Sequence, residues 1–547
     1  MPRSRWSGAA RRLLGIGLAT SLAAWACEPA PSPQPTVGPT PAASSGATRT
    51  PSSAPSPTAP TTPGVTVELP LAVVTGLTNG KATISGRELV SLANAGSLIV
   101  PCSVRVVAPR DMAEAVEAAG ATCLPADEIR ARVVADPTTV ALLPPGLVEP
   151  ATKVLSIAGD GPYGSRGPDL FGDAAARGLP YPIEAEATGL PAEWTTYDAN
   201  AVWTLVSLGG SCLDGFLAYA ALEPGHGWRW VMNGGTARYR DIHLNPNPPP
   251  GVSRELIVDA VATGNDGAVA ELTSGADVTL DDFDCTLRDD WHVNKGGNLV
   301  YSTNAAALPA MRDKLGIDVM KLAGNHASDF GQAGTRETLR HLEDAGVLGV
   351  GAGVDLDQAL EPAVVDVAGL KVAFVSWNDV AGSFAASETV AGVAWLRKPN
   401  VLESVRRARD AGADVVICTP EWWGGAEYHM DLKPEQEQQL GWFDEAGCDQ
   451  VLGHGTHLAG PLVLRAPSAP GAEVVVVSHG NFLFGQSWWQ QVQEGVIAEL
   501  AFRGPIVANV RLHPYVLVDA ARASLTDPEG DGHDVLDRIW KHSDLGG

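Results

Sequence analysis

Ile317-Asp318-Val319-Met320-Lys321-Leu322-Ala323-Gly324-Asn325-His326-Ala327-Ser328-Asp329-Phe330-Gly331 is the stretch whose reading decides the fold. Residues 317–323 read as a largely apolar strand. The strand stops at Gly324, where the missing Cβ lets the backbone turn tightly. Asn325 and His326 then stand where a strand opens into a loop, the usual place for catalytic groups in α/β proteins. A neutral imidazole can bind a divalent metal, and an Asn carbonyl oxygen can bind a hard one. The same residues also suit a plain turn with a hydrogen-bonded Asn and a surface His.

Similar strand ends recur along the chain. Residues 278–284 end in the carboxylates Asp282 and Asp284, and residues 230–236 read as a short strand closed by a Gly-rich turn. Strand-like runs at 370–377, 413–419, 449–452 and 473–478 alternate with helical patterns at 335–345, 400–411 and 434–446. Gly346, Gly412 and Gly447 follow those helices, as helix ends favour. The run at 413–419 leads into Pro420-Glu421-Trp422-Trp423-Gly424. The run at 449–452 leads into Gly453-His454-Gly455-Thr456-His457, and the run at 473–478 into His479-Gly480-Asn481-Phe482. A site gathered from many strand ends is how an α/β sandwich builds a metal centre. Asp282, Asp284, Asn325, His326, His454 and His457 offer the oxygen and nitrogen ligands that suit Mn, Fe or Zn. Two such ions about 4 Å apart can activate a bridging water.

In their order these motifs resemble the bacterial poly-gamma-glutamate capsule synthesis (CapA-like) family. Its fold is similar to that of calcineurin-type metallophosphoesterases. The likeness spans residues 229–522. In it Gly234-Gly235-Thr236 answers the family's Gly-Gly-Asp and Asp282-Phe283-Asp284 its Asn-Leu-Glu. Gly324-Asn325-His326 with Asp329-Phe330-Gly331 answers Asn-Asn-His with Asp-x-Gly. Glu421-Trp422-Trp423-Gly424 answers His-Trp-Gly, the 453–457 segment Gly-His-His-Pro-His, and the 478–482 segment Ser-Leu-Gly-Asn-Phe. The resemblance implies a divalent metal site, mononuclear or dinuclear, with Glu421 among its ligands. It puts His326 and His454 at the chemistry and Thr236 and Asn481 at its margin. The departures matter. Thr236 stands where the family has a metal-binding Asp, and Glu421 where it has a ligand His. Such swaps either retune the site toward a harder cation or remove a metal position. Trp422, Trp423, Trp488 and Trp489 form two tandem pairs, read first as core or lid packing and otherwise as a stacking surface for ligand.

The 547-residue chain is long enough for two or more domains, and its net charge of −25 argues against a nucleic-acid-binding surface. Arg3, Arg5, Arg11 and Arg12 precede a short apolar run and then Ala24-Trp25-Ala26-Cys27. Residues 1–27 therefore read as an export signal. Cys27 is the expected lipidation point, and plain cleavage after Ala26 is the alternative. Residues 28–64, rich in Pro, Ser and Thr, read as an unfolded tether. Six further cysteines allow 15 pairings; Cys102 with Cys123 is the obvious local pair, and Cys418 reads as a buried thiol.

Residues 65–228 alternate strands (65–75, 104–108, 140–143) with helices (85–92, 111–119). That order suggests a smaller, doubly wound α/β domain similar to half of a periplasmic solute-binding protein. Residues 523–547 read as a tail. The fold class expected is thus a multilayer α/β sandwich of metallophosphoesterase type preceded by a smaller α/β domain. Two functions follow for such an exported protein. One is a metal-dependent hydrolase acting on a phosphoester or amide linkage of an envelope polymer. The other is a non-catalytic lipoprotein that binds or tethers such a polymer or its precursor with a degenerate metal site.

Overall fold

The computed structural model describes residues 66–546, except 82, 103, 108–120, 159–168, 173, 180–182, 189–196, 249–252, 296–298 and 466–470. The expected signal, Cys27, the tether and the expected helix at 111–119 lie outside the described residues.

The first unit is built on the long strand Thr66–Gly76, which pairs antiparallel with Ile183–Thr188, Val140–Leu143 and Thr152–Val154. Leu98–Pro101 joins Val140–Leu143 in parallel and carries Thr122–Leu124 beside it, and Val104–Val107 closes the other edge against Ile183–Thr188. The sheet is therefore mixed, where the sequence suggests a doubly wound parallel one. Ile183–Thr188 is antiparallel to both of its neighbours, Thr66–Gly76 and Val104–Val107. The helix Gly86–Asn94 starts as the sequence indicates: Ser85 Oγ accepts a hydrogen bond from the Glu88 amide at 3.1 Å. Replacing Ser85 by alanine should cost about 1 kcal/mol in urea unfolding, with the slope against urea unchanged.

Two further sheets pack face to face. In the first, of ten strands, the buried strand Val202–Cys212 lies between Glu494–Arg503 and Val278–Phe283, with Val319–Lys321 and Leu348–Val350 beyond. Leu370–Asn378, Val415–Glu421, Gln450–Leu452 and Val474–Val476 run parallel through the second, six-stranded sheet. Leu205, Leu280 and Val319 of one sheet meet Phe374, Ile417, Leu452 and Val476 of the other in a shared core. Leu308–Leu315 and Gly331–Ala345 cover the outer face of the first sheet through Leu308, Met311 and Leu342. Lys398–Asp410 and Pro434–Ala446 cover that of the second through Val401, Val405, Leu440 and Phe443. The result is a helix–sheet–sheet–helix sandwich, the multilayer α/β class expected.

Three expectations need correction. Val202–Cys212 falls inside the expected first domain, yet it is a central strand of the sandwich; six of its first seven residues are large or β-branched enough to fill a core. The boundary therefore falls before residue 202, not at 228. Trp228–Val231 is a helical turn rather than a strand, placing Trp228 and Val231 on one face against the core. Residues 523–547 are no tail: Arg522–Leu525 pairs with Ile506–Val518, and the helix His533–His542 buries Val535 and Ile539. Among the described residues no helix is long and apolar enough to cross a membrane.

All six described cysteines are paired, as Cys102–Cys123, Cys212–Cys285 and Cys418–Cys448. Cys418 is thus a disulfide partner and not a buried thiol. Strand Val415–Glu421 carries it onto the helix-covered face, where Cys448 follows the end of Pro434–Ala446.

Candidate functional site

Parallel strands in both sheets bring their carboxyl ends to one edge of the sandwich. Asp282 and Lys321 are direct neighbours in the Val278–Phe283/Val319–Lys321 register, and Gly210 is the neighbour of Asp282 on the other side. The second sheet supplies Glu421 at the end of Val415–Glu421. His454 follows Gln450–Leu452 and forms a bridge to Glu421. Asn481, at the start of Asn481–Phe484, pairs with Gly210. Asp282, Asp284, Glu421, His457 and Asn481, with Phe484 and three glycines, line a cavity of about 20 Å3, room for about one water-sized occupant.

Lys321 decides the electrostatics. Its side chain is fully buried, and Nζ lies 2.6 Å from Asp282 Oδ1 and in contact with Glu421 Oε2. Burial alone would favour the neutral amine. The Asp282, Glu421 and Asp284 carboxylates outweigh it and hold Lys321 above its ordinary value. Burial pushes the Asp282 carboxyl up and that of Glu421 up to about 8, against the pull of Lys321. The ammonium and its carboxylates thus pull in opposite directions. The charged lysine is the state that the contacts require, because a fully buried amine between two carboxyls gains most as a cation. Asp281, on the same strand but facing away, accepts from Ser211 Oγ at 2.8 Å, and burial pushes it up to about 8.

Two histidines are buried behind these acids. Nδ1 of His454 is 3.2 Å from Asp282 Oδ2, yet neither ring nitrogen makes an aligned hydrogen bond. The distance marks proximity; the angle leaves the imidazole unpartnered. Burial, then the adjacent His479 ring at 4.7 Å, holds His454 well below its ordinary value, so it is neutral. Burial likewise lowers His479 to about 4.

At the turn after Val319–Lys321, Gly324 is obligatory: a Cβ there would lie 1.9 Å from Asp284 Oδ1. That carboxylate accepts from the His326 amide at 2.8 Å. The His326 ring bonds Asp329 Oδ2 through Nδ1 at 2.8 Å and meets the edge of Tyr301 at 4.8 Å. Burial would lower His326, but Asp329 and Asp284 outweigh it and raise its pKa. Asn325 is half-buried at the same turn. His457 donates Nδ1–H to Asn481 Oδ1 at 2.8 Å and stacks on Tyr428, which in turn meets Trp488 and Trp489 edge-on. Trp422 is core: it is fully buried, with Nε1 donating to Val477 O at 2.8 Å. Trp423 is half-buried.

Of the sequence-derived set, Asp282, Asp284, Glu421, His454, His457 and Asn481 converge, with Asn325 and His326 at the adjoining turn. Thr236 does not join them. Its hydroxyl donates to Gly264 O on the Thr236–Leu244/Leu256–Gly264 hairpin, and four strands separate it from Val278–Phe283. The Gly-Gly element beside Asp282 is Gly209-Gly210. A Cβ on Gly210 would stand 3.6 Å from Asp282 Oδ2 and 3.9 Å from Asn481 Oδ1, so the position that faces the cluster carries no side chain. Lys321, Gly210 and His479 are the site residues that sequence reasoning missed.

The residues present do not fit a two-ion centre. The unpartnered His454 nitrogens are what a metal ligand would leave, but the Lys321 ammonium fills the place between Asp282 and Glu421, and Gly210 offers nothing. Elsewhere Asp289, Glu337 and His341 bring ligand atoms within 4.8 Å of one another. Arg340 and Arg288 already neutralise that group, at 2.8 Å from Asp289 and 3.0 Å from Glu337. A larger cavity of about 400 Å3 lies between the first unit and the Ile506–Val518 strand; Lys153 and Arg511 line it and no sequence-derived site residue does.

A polar cluster at converging strand ends of an α/β sandwich defines the class of this protein. Residues 259–486 match the family described as bacterial capsule synthesis protein PGA_cap. It is 30% identical over 196 residues to the capsule biosynthesis protein CapA of Bacillus anthracis, covering 35% of this chain and 46% of the relative. It is 30% identical over 188 residues to the PGA biosynthesis protein CapA of Bacillus subtilis (strain 168), covering 34% and 47%. The chain thus spans about half the length of the curated relatives it matches. Among solved structures it is similar to a 5'-nucleotidase precursor from Thermus thermophilus, at 14% identity and a TM-score of 0.32 over 62% of this chain and 58% of that one. So low a score leaves the sandwich to be argued from the chain's own sheets.

Proposed function

We propose that the chain is an exported accessory protein of poly-glutamate-type envelope-polymer synthesis. Its strand-end site binds the polymer or its precursor and does not hydrolyse it with paired metal ions. The observation that carries this reading is Lys321, buried between the two carboxylates that such ions would need. The half-buried Tyr428, Trp488 and Trp489 beside His457 form an aromatic collar at the cavity, suited to a chain laid across it. Three disulfides fit an oxidising, extracytoplasmic setting. Lipidation at Cys27, with residues 28–64 as the tether to the membrane, belongs to the same proposal.

The net charge of −25 opposes a polyanion. Binding is therefore carried by stacking and amide hydrogen bonds, and it strengthens as salt screens the repulsion. Calorimetry with γ-glutamyl oligomers at two salt concentrations tests this. The expected result is tighter binding at the higher salt and about a tenfold loss in Tyr428→Ala, the cost of one stacked aromatic contact. No binding at either salt would overturn the reading. A metal-dependent hydrolase acting through His326 and His454 is the second reading, favoured by the unpartnered nitrogens of His454. Metal-stimulated cleavage of a phosphodiester or γ-glutamyl substrate, lost in His454→Ala, would establish it.

A further inference from the structure

We infer that Lys321 is the built-in cation of this site: its ammonium takes, between Asp282 and Glu421, the position that a divalent ion would otherwise occupy. The inference deepens the reading above, since both rest on Lys321; metal content tests it, whereas calorimetry tests polymer binding.

Three observations converge. The first is geometric. Nζ lies 2.6 Å from Asp282 Oδ1 and in contact with Glu421 Oε2. A divalent ion shared by the same two carboxylates would need metal–oxygen distances of about 2.0–2.6 Å, so ion and ammonium would claim the same space. The second is topological. Lys321 closes a short central strand with Met320 and Leu322 buried on either side of it, and its side chain reaches from the first sheet to Glu421 on the second. It therefore links the two sheets at the edge where the cluster forms, a task a bridging ion would otherwise perform. The third is the composition of the rest of the cluster. Gly210 withholds a ligand from the position facing Asp282 and Asn481, and Glu421 supplies the carboxylate that gives the ammonium a second partner. Lys321, Glu421 and Gly210 together make one consistent site: a buried cation, an acid that receives it and a facing position without a side chain.

The same geometry says what removing the lysine would create. Asp282 Oδ1 and Glu421 Oε2 would face an open space, with the unpartnered His454 Nδ1 already 3.2 Å from Asp282 Oδ2. Two carboxylates and a neutral imidazole are a divalent-metal ligand set.

The test uses the full chain, purified without chelator or affinity metal, as wild type, Lys321→Ser, Lys321→Ser/Glu421→Gln and Asp282→Asn. Metal content is read by plasma mass spectrometry, and thermal unfolding is followed with EDTA, Mn2+ or Zn2+. The wild type is expected to hold under about a tenth of an equivalent and to unfold at the same temperature in all three solutions. Lys321→Ser is expected to take up about one equivalent, to gain several degrees of thermal stability with Mn2+ or Zn2+, and to lose both in the Glu421→Gln double variant. A wild-type chain carrying an equivalent of Mn, Fe or Zn that EDTA strips and Asp282→Asn abolishes would overturn the inference. So would a folded Lys321→Ser chain that binds no metal. If that variant does not fold alone, refolding it with and without Mn2+ serves the same end: recovery only with the ion supports the inference, recovery in both without bound metal overturns it. A chain that recovers in neither leaves the decision to the wild-type arm.

Discussion

Lys321→Met is expected to destabilise the protein by about 3–5 kcal/mol, because it leaves two buried carboxylates without their cation. Methionine fills the same channel as the lysine stem, so lost packing contributes little and the effect isolates the charge. Glu421→Gln in the same chain should recover a large part of the loss, since it removes one of the stranded charges; the coupling between the two substitutions then reads the interaction itself. The pH dependence follows from the carboxyl that burial raises to about 8. Without the ammonium its folded value rises further, while the unfolded value stays near 4.5. Between about pH 4.5 and about pH 8 both folded chains hold that proton; above about pH 8 wild type releases it while the folded variant keeps it. The deficit against wild type should therefore grow as pH rises above about 8 and stay level from about pH 8 down to about pH 4.5. Urea unfolding of the three chains at several pH values measures it. A loss below about 1 kcal/mol at about pH 8 would mean that Asp282 and Glu421 do not depend on Lys321.

Much of this cluster can be read from the sequence, because its members share a pattern: a short apolar run, then a polar residue of ligand type. Asp282, Glu421, His454 and Asn481 all obey it, and the two sheets carry them to one edge. Lys321 breaks the pattern by lying inside the run. A lysine among apolar residues reads as a solvent-facing position of a half-buried strand. In a central parallel strand neither face is wet, so a lysine there must be paired. That is the signal that points to it, and it needs the strand to be known as central. Thr236 fails for a related reason. Gly209-Gly210 and Gly234-Gly235 are equally good local turns, and the choice between them depends on which preceding strand enters the core. The eleven-residue run Val202–Cys212 does, whereas Trp228–Val231 is a single helical turn. The mixed character of the first sheet is hidden too, because strand direction is set by pairings far apart in sequence, such as Thr66 with Thr188.

His479 supports the second large prediction, an acid-dependent loss of stability of about 3 kcal/mol assignable to one side chain. Burial lowers its folded pKa to about 4, while in the unfolded chain it titrates near 6.5. As pH falls from about 6.5 to about 4 the unfolded state gains a proton that the folded state refuses, and stability is lost through that window and not above it. The distance between the two values, at about 1.36 kcal/mol per pH unit, gives the magnitude. The slope of the whole protein does not isolate this contribution, because Asp281 and Glu421, pushed up to about 8, bind protons in the folded state and act with the opposite sign. The readout is therefore the difference between wild type and His479→Leu. The substitution carries a pH-independent cost, since the Gly453 carbonyl loses its 3.1 Å partner at His479 Nδ1. On top of that offset the gap between the two chains should change by about 3 kcal/mol between about pH 6.5 and about pH 4, in favour of the variant. His454 adds to the change, because the His479 ring is part of what holds it neutral. A gap that stays constant across the window would place His479 in contact with water, contrary to its burial behind the acidic cluster.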